Sequence, residues 1–442
     1  MRRTVARVAA TVVAAAAIVG GVALAWALPA PLPDLPPEIA SRTPDPTHGA
    51  YLAVAGDCTA CHTRPGGAAF AGGVPFVVPM GVVYSTNITP DRTHGIGNYT
   101  LPEFIRLMRE GVARDNRRIY PAMPYTAYTK VSDADLQDLY AYFEHSVPAA
   151  AEHDFANRIP WPLGIRWPLA FWNKVFLDDT RFQPDPRKPN SWNRGAYLVE
   201  GLGHCGTCHT PRGLGFHEKA TKDDSPLYLA GAELDGQSPS DLRGNAWTGL
   251  GGWNASDIME LLKTARTAHT AIAGQMTEVV ANSTQHMHDD DLQAIAIYLK
   301  SLSPAPDQHS SFAASDNTYR RIMAGQEDSP GGRMFMDSCS ACHRLDGAGY
   351  DHAFPQLTGN STVLHPNSGS LVATILTGAR LPSTMDAPSQ LAMPAFGWRY
   401  SDEEVAELAS FVRSAWGNHA DAVTADQVRR IRALNSDRSR QR

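Results

Sequence analysis

Cys58-Thr59-Ala60-Cys61-His62, Cys205-Gly206-Thr207-Cys208-His209 and Cys339-Ser340-Ala341-Cys342-His343 are one motif written three times, and they use all six cysteines of the 442-residue chain. The spacing carries chemistry. Two thiols one helical turn apart meet the two vinyl groups of a haem and form thioethers, and the next residue's imidazole lies under the iron as proximal ligand. A single C-x-x-C suits half a zinc site or a redox dithiol equally well. Zinc does not explain a histidine directly after each pair, three times over, with no cysteine spare. A thioredoxin-like site needs a βαβ pattern, and none surrounds these copies. The motif therefore predicts three covalently attached haem c groups, held by Cys58, Cys61, Cys205, Cys208, Cys339 and Cys342, with His62, His209 and His343 as axial ligands.

The copies begin 147 and 134 residues apart, which fits one small domain each. Other features recur with the same period, as an internal repeat requires. A short helical segment precedes each motif: Gly49-Ala50-Tyr51-Leu52, Gly195-Ala196-Tyr197-Leu198 and Gly332-Arg333-Met334-Phe335. Gly95-Ile96-Gly97-Asn98-Tyr99 is echoed by Leu250-Gly251-Gly252-Trp253-Asn254, each before a helix, the first with Thr100 and Glu103 in capping-box positions. An amphipathic helix closes each repeat, over 133–143, 289–302 and 401–416, with Tyr142, Tyr298 and Phe411 at matching places. These aromatics are expected to pack between the first and last helices of each domain. No strand-like alternation is sustained, so each repeat reads as mainly helical.

An iron held by one histidine takes a second axial ligand or keeps an open position. A methionine thioether gives a low-spin iron at raised potential. The candidate must lie between the motif and the closing helix. Met123 in Tyr120-Pro121-Ala122-Met123-Pro124 and Met393 in Leu391-Ala392-Met393-Pro394-Ala395 stand out, because the flanking prolines stiffen the loop. The second repeat has no Met-Pro. Met276 is chosen by register: counted from Arg114, Arg266 and Arg380 after the preceding helix, the methionines lie 9, 10 and 13 residues on. Met287, His286 and His288 are its rivals. Met80 and Met385 are weaker alternatives for the first and third haems, and Met108, Met259, Met334 and Met336 read as core. His204 reads as incidental.

Charged residues at 19% and a formal net charge of −6 exclude a strongly basic nucleic-acid binder. At the N-terminus, Arg2, Arg3 and Arg7 precede 21 residues, 8–28, without a charge. That length spans a hydrocarbon core of about 30 Å, with the positive end left in the cytoplasm. Ala23 and Ala25 also offer a cleavage site, so signal peptide and retained anchor both fit.

Three C-x-x-C-H repeats behind such a segment resemble the tri-haem cytochrome c subunits of bacterial membrane-bound alcohol and gluconate dehydrogenase complexes, whose relatives act with sugars, polyols or aldehydes. Supporting stretches are Tyr84-Ser-Thr-Asn-Ile-Thr-Pro-Asp91, Tyr120-Pro-Ala-Met-Pro-Tyr-Thr-Ala-Tyr128 and Gly201-Leu-Gly-His-Cys-Gly-Thr-Cys-His-Thr-Pro-Arg212. The likeness runs from about His48 to Trp416. It implies a mainly α fold: three tandem class I-like cytochrome c domains (47–148, 191–303 and 326–418) after an N-terminal hydrophobic helix. Between them lie a Pro-rich spacer at 29–46, a Trp/Pro-rich linker at 149–190 and a linker at 304–325, with a charged C-terminal tail at 419–442. It also implies a non-catalytic relay on the periplasmic face of the cytoplasmic membrane. Electrons would come from a quinoprotein, flavoprotein or molybdenum dehydrogenase subunit and pass to ubiquinone. A donor to a terminal oxidase is the alternative, and a peroxidase with one open haem a more distant one.

Ile159-Pro160-Trp161-Pro162, Trp167-Pro168 and Phe171-Trp172 fit a linker packed on a domain. They also fit a docking strip for the catalytic subunit or the membrane interface.

Overall fold

Each repeat brings its first and last helices together at a glycine. Helix Pro46–Ala55 meets Asp133–His145 at Gly49, helix Asn190–Glu200 meets Asp289–Ser301 at Gly195, and helix Pro330–Ser338 meets Asp402–Ser414 at Gly331. A Cβ at these three positions would collide with the backbone carbonyls of Asp138, Ala294 and Glu407, and would come within 2.8, 2.9 and 2.8 Å of the Cβ atoms of Tyr142, Tyr298 and Phe411. Only a residue without a side chain admits that approach. The expected aromatic packing is thus found. In the third repeat the crossing glycine is Gly331, one residue before the Gly332 that the repeat aligns with Gly49 and Gly195, whose own Cβ would face Glu327 and Ser329. Two adjacent glycines gave the sequence no way to choose.

The structure is a computed structural model describing Gly21 and residues 27–234, 236–306, 310–314 and 316–441. The hydrophobic helix expected over 1–28 lies outside these apart from Gly21, Ala27 and Leu28. Among the described residues no helix is long and apolar enough to cross a membrane. The chain is mostly helical and divides into two compact units. One comprises residues up to Gly49 and 64–181; the other comprises 50–63 and everything from Phe182 on.

In the first unit, helix Leu101–Glu110 starts at the expected box, with Thr100 N–H donating to Glu103 Oε2 at 2.8 Å. A hairpin was not expected: Pro75–Val78 pairs with Gly81–Tyr84, Phe76 opposite Val83. Its strands of four residues are too short for alternation to show in the sequence.

Arg42 Nη1 and Nη2 (2.5 and 2.7 Å), the Asp45 N–H (2.7 Å) and His48 Nδ1 (3.0 Å) converge on the Asp138 carboxylate, which is 1% exposed. Burial alone would raise this carboxyl, but the hydrogen bonds win and hold it at about 2. A depressed folded-state value gives stability that is present above the unfolded value near 4 and lost as pH falls toward 2. Relative to Asp138→Asn, the parent is therefore expected to lose on the order of 2 kcal/mol between pH 4 and pH 2. Acid titration by circular dichroism checks this, and parallel curves for the two proteins would refute it.

The second unit holds two hydrophobic cores. Leu198, Val199, Tyr228, Leu292 and Tyr298 centre one, and Phe335, Val405, Phe411, Val412 and Trp416 the other. They are joined by polar contacts, among them Ser238 Oγ donating to Asn367 Oδ1 at 2.8 Å and His352 Nε2 at 2.9 Å from Glu260 Oε1. Ala265, Val280 and Leu381 form an apolar bridge between them. The charged tail beyond 419 forms a surface helix that packs on helix Asp402–Ser414. Its helix Ala425–Gln441 buries Val428 and Ile431, and Arg432 Nε donates to Asp402 Oδ1 at 2.7 Å.

Candidate functional site

All three motifs fold as a single helical turn: Cys58–His62, Gly206–His209 with Cys205 capping it, and Ser340–His343 with Cys339 capping it. One turn sets both thiols of each pair on one side, with the histidine at the end. The six cysteines form no disulfide. Burial pushes the Cys58, Cys61, Cys205 and Cys339 thiols up to about 12, and Cys208 upward too. Among the described residues, the one grouping of His, Cys, Asp and Glu close enough for a metal ion is His48, Asp135 and Asp138, without a cysteine. Arg42 already binds that carboxylate.

Two of the three histidines are oriented by backbone carbonyls. His209 Nδ1 lies 2.7 Å from the Ser240 carbonyl oxygen, and His343 Nδ1 lies 2.9 Å from that of Pro355. Each carbonyl accepts the Nδ1 proton, which leaves the Nε2 lone pair for a metal. Burial lowers both imidazole pKa values and favours the neutral ligand form. Paired thiols with an imidazole fixed in this tautomer fit covalent haem c.

The candidate methionines stand differently. Met393 lies in the strand Ala392–Met393, paired with Ala379–Arg380, and borders the same hydrophobic core as Cys339. Met276 begins helix Met276–Asn282, which packs beside helix Cys58–His62. Its rival Met287 is buried in the core that Cys205 borders, and His288 stacks on Tyr51 with centroids 4.2 Å apart. Met123 lies in a turn of the first unit, its carbonyl accepting from the Tyr125 N–H at 2.8 Å. The first motif belongs to the second unit. Of the weaker alternatives, Met80 lies in the hairpin turn and Met385 is exposed.

Sequence reasoning missed what fixes the first motif. His204, read as incidental, is half-buried and hydrogen-bonds the backbone of Gly56, two residues before Cys58. Tyr51 Oη donates to Asp291 Oδ2 at 2.5 Å, and Arg194 holds the same carboxylate through Nε and Nη2, each at 2.7 Å. Ala55 enters the core around Leu198. The only available signal was the His-Cys adjacency at 204–205, which a lone histidine does not make specific.

Comparison with known proteins follows the same lines. The sequence model of the cytochrome c family matches residues 193–303 and 329–416. The chain is 46% identical to the gluconate 2-dehydrogenase cytochrome c subunit of Pantoea cypripedii, across 87% of this chain and 88% of that one. It is 41% identical to the cytochrome c subunit of the alcohol dehydrogenase (quinone) of Gluconobacter oxydans, across 88% and 82%. It is 36% identical to the fructose dehydrogenase cytochrome subunit of Gluconobacter japonicus, across 91% and 85%.

Proposed function

The chain belongs to the family of cytochrome c subunits of gluconate, alcohol and fructose dehydrogenases, non-catalytic electron-transfer components, and from that premise we propose that it is a tri-haem relay. It takes electrons from a periplasmic dehydrogenase catalytic subunit that oxidises an alcohol, gluconate, sugar or aldehyde, and delivers them to ubiquinone in the cytoplasmic membrane. The observation that carries this is the motif itself, folded as the same turn in three places in a chain with no cysteine left over.

Haem c, when bound, supplies a one-electron iron couple. Cys58 and Cys61, Cys205 and Cys208, and Cys339 and Cys342 would hold the three groups by thioethers. His62, His209 and His343 would supply imidazole ligands to the irons, and Met123, Met276 and Met393 would supply thioether ligands. The Ser240 and Pro355 carbonyls keep two of the imidazoles neutral and aimed. A soft thioether ligand would favour the reduced iron and so raise the potential. The bonds from His204 to Gly56 and from Tyr51 to Asp291 hold the first attachment turn against the second repeat. That supports the first and second haems as neighbours in the relay.

The complex extracted from membranes in mild detergent is expected to contain a large dehydrogenase subunit in fixed ratio, three haems per chain by haemochrome assay, and haems reoxidised by a ubiquinone analogue. Oxidase subunits in its place would overturn the reading.

A further inference from the structure

Residues 155–177 contain three tryptophans, three phenylalanines, Arg158, Arg166 and Lys174, and no Asp or Glu, in a chain whose formal net charge is −6. The first unit grips this strip from one side. Asn173 is buried, accepting from Tyr125 Oη at 2.9 Å and donating to the Glu110 carbonyl at 2.7 Å. The Arg166 guanidinium lies 4.3 Å from the Tyr120 ring centroid and donates to the Arg118 carbonyl at 3.0 Å. The other side is left to solvent: Trp161 is 86% and Val175 71% exposed, with Leu163, Ile165 and Trp167 exposed between them. A strip held from one side with two of its three tryptophans outward marks a binding surface.

The end of the apolar segment selects the occupant. Arg118, which accepts from Arg166, also donates to the carbonyl of Ala27 at 3.3 Å, and Ala27 is buried. Ala27 is the penultimate residue of the charge-free run 8–28, long enough to span a bilayer. The strip thus lies where that run meets the folded unit. Tryptophan favours the headgroup level, where its ring is half solvated, and cations favour the phosphates of an anionic leaflet.

We propose that this face is a membrane-interface surface for an anionic bilayer. Trp161, Leu163, Ile165, Trp167 and Val175 enter the headgroup–acyl boundary, and the exposed Arg158 and Lys174 lie among the phosphates, beside the end of segment 8–28. The inference rests on the membrane location in the function proposed above and adds the surface that meets the lipid.

The test reconstitutes the full-length haem-loaded chain in phosphatidylcholine vesicles, with and without phosphatidylglycerol, carrying a photoactivatable diazirine phospholipid, and maps labelled peptides by mass spectrometry. Label is expected on 161–175, several-fold stronger with phosphatidylglycerol, and at background around Trp398, which is 83% exposed in the second unit. Trp161→Ser with Trp167→Ser should drop the strip to that background with haem absorbance unchanged. Label confined to 1–28, with the strip at background, would overturn the proposal. If the strip then gained hydrogen-exchange protection on adding the dehydrogenase subunit, the surface would be the partner's. An oxidase found in the native complex would defeat the relay reading and leave the lipid-labelling result standing.

Discussion

Gly195→Val is expected to cost about 3 kcal/mol or more, at the upper end for overpacking. The reason is geometric. A side chain at 195 meets the backbone carbonyl of Ala294 on the opposed helix and stands 2.9 Å from the Cβ of Tyr298. Neither can rotate away, so helices Asn190–Glu200 and Asp289–Ser301 must separate. Tyr298 would then lose its burial, its 2.7 Å bond to Glu200 Oε1 and its edge contact with Trp192. A domain of this size has only about 5–15 kcal/mol in all. Gly164→Ala, whose Cβ would meet nothing nearer than 3.5 Å, serves as the comparison and is expected within about 0.5 kcal/mol of the parent. Thermal unfolding by circular dichroism reads both. Equal midpoints would mean that the helices do not cross at Gly195. Gly49→Val and Gly331→Val should repeat the result in the other two repeats.

That crossing was half legible in the sequence. The glycines before the motifs and the aromatics Tyr142, Tyr298 and Phe411 in the closing helices were visible, because helical spacing and a period near 140 residues place them. The choice of Gly331 over Gly332 was not, since it depends on which residue faces Glu407 across the helix pair. The attachment residues were fully legible because their chemistry is local: two thiols and an imidazole within five residues. The carbonyls that orient His209 and His343 were hidden, being 31 and 12 residues away and backbone groups, which carry no sequence signature. The burial of the tail helix Ala425–Gln441 was hidden for another reason. Arg429, Arg430 and Arg432 dominate its composition, while among the described side chains Val428 and Ile431 carry its burial.

Met393→Leu is expected to convert the third haem from six-coordinate to one that binds carbon monoxide when reduced. Its potential should fall by on the order of 100 mV, a fraction of the roughly 0.8 V that axial ligation spans. Leucine nearly matches methionine in volume, so packing changes little and the loss is that of the sulfur. Position argues for Met393 over Met385. Met393 is held by pairing with Ala379, it borders the core that Cys339 borders, and a Cβ on Gly378 would stand 2.5 Å from its carbonyl oxygen. Met385 is 66% exposed, its backbone N–H donating to Gln285 Oε1 at 3.1 Å. A haem ligand must be fixed, because a side chain free to leave would let the iron change coordination at each transfer and raise the reorganisation. Met385→Leu is therefore expected to leave spectrum and potential as they are. Carbon monoxide binding in Met385→Leu but not in Met393→Leu would move the ligand to the exposed loop, and binding in neither would mean that the sixth ligand is not a methionine. The same pair of measurements on Met276→Leu and Met287→Leu decides the second haem, where position speaks less clearly. There Met276 starts a helix packed beside Cys58–His62, while Met287 lies in the core bordered by Cys205.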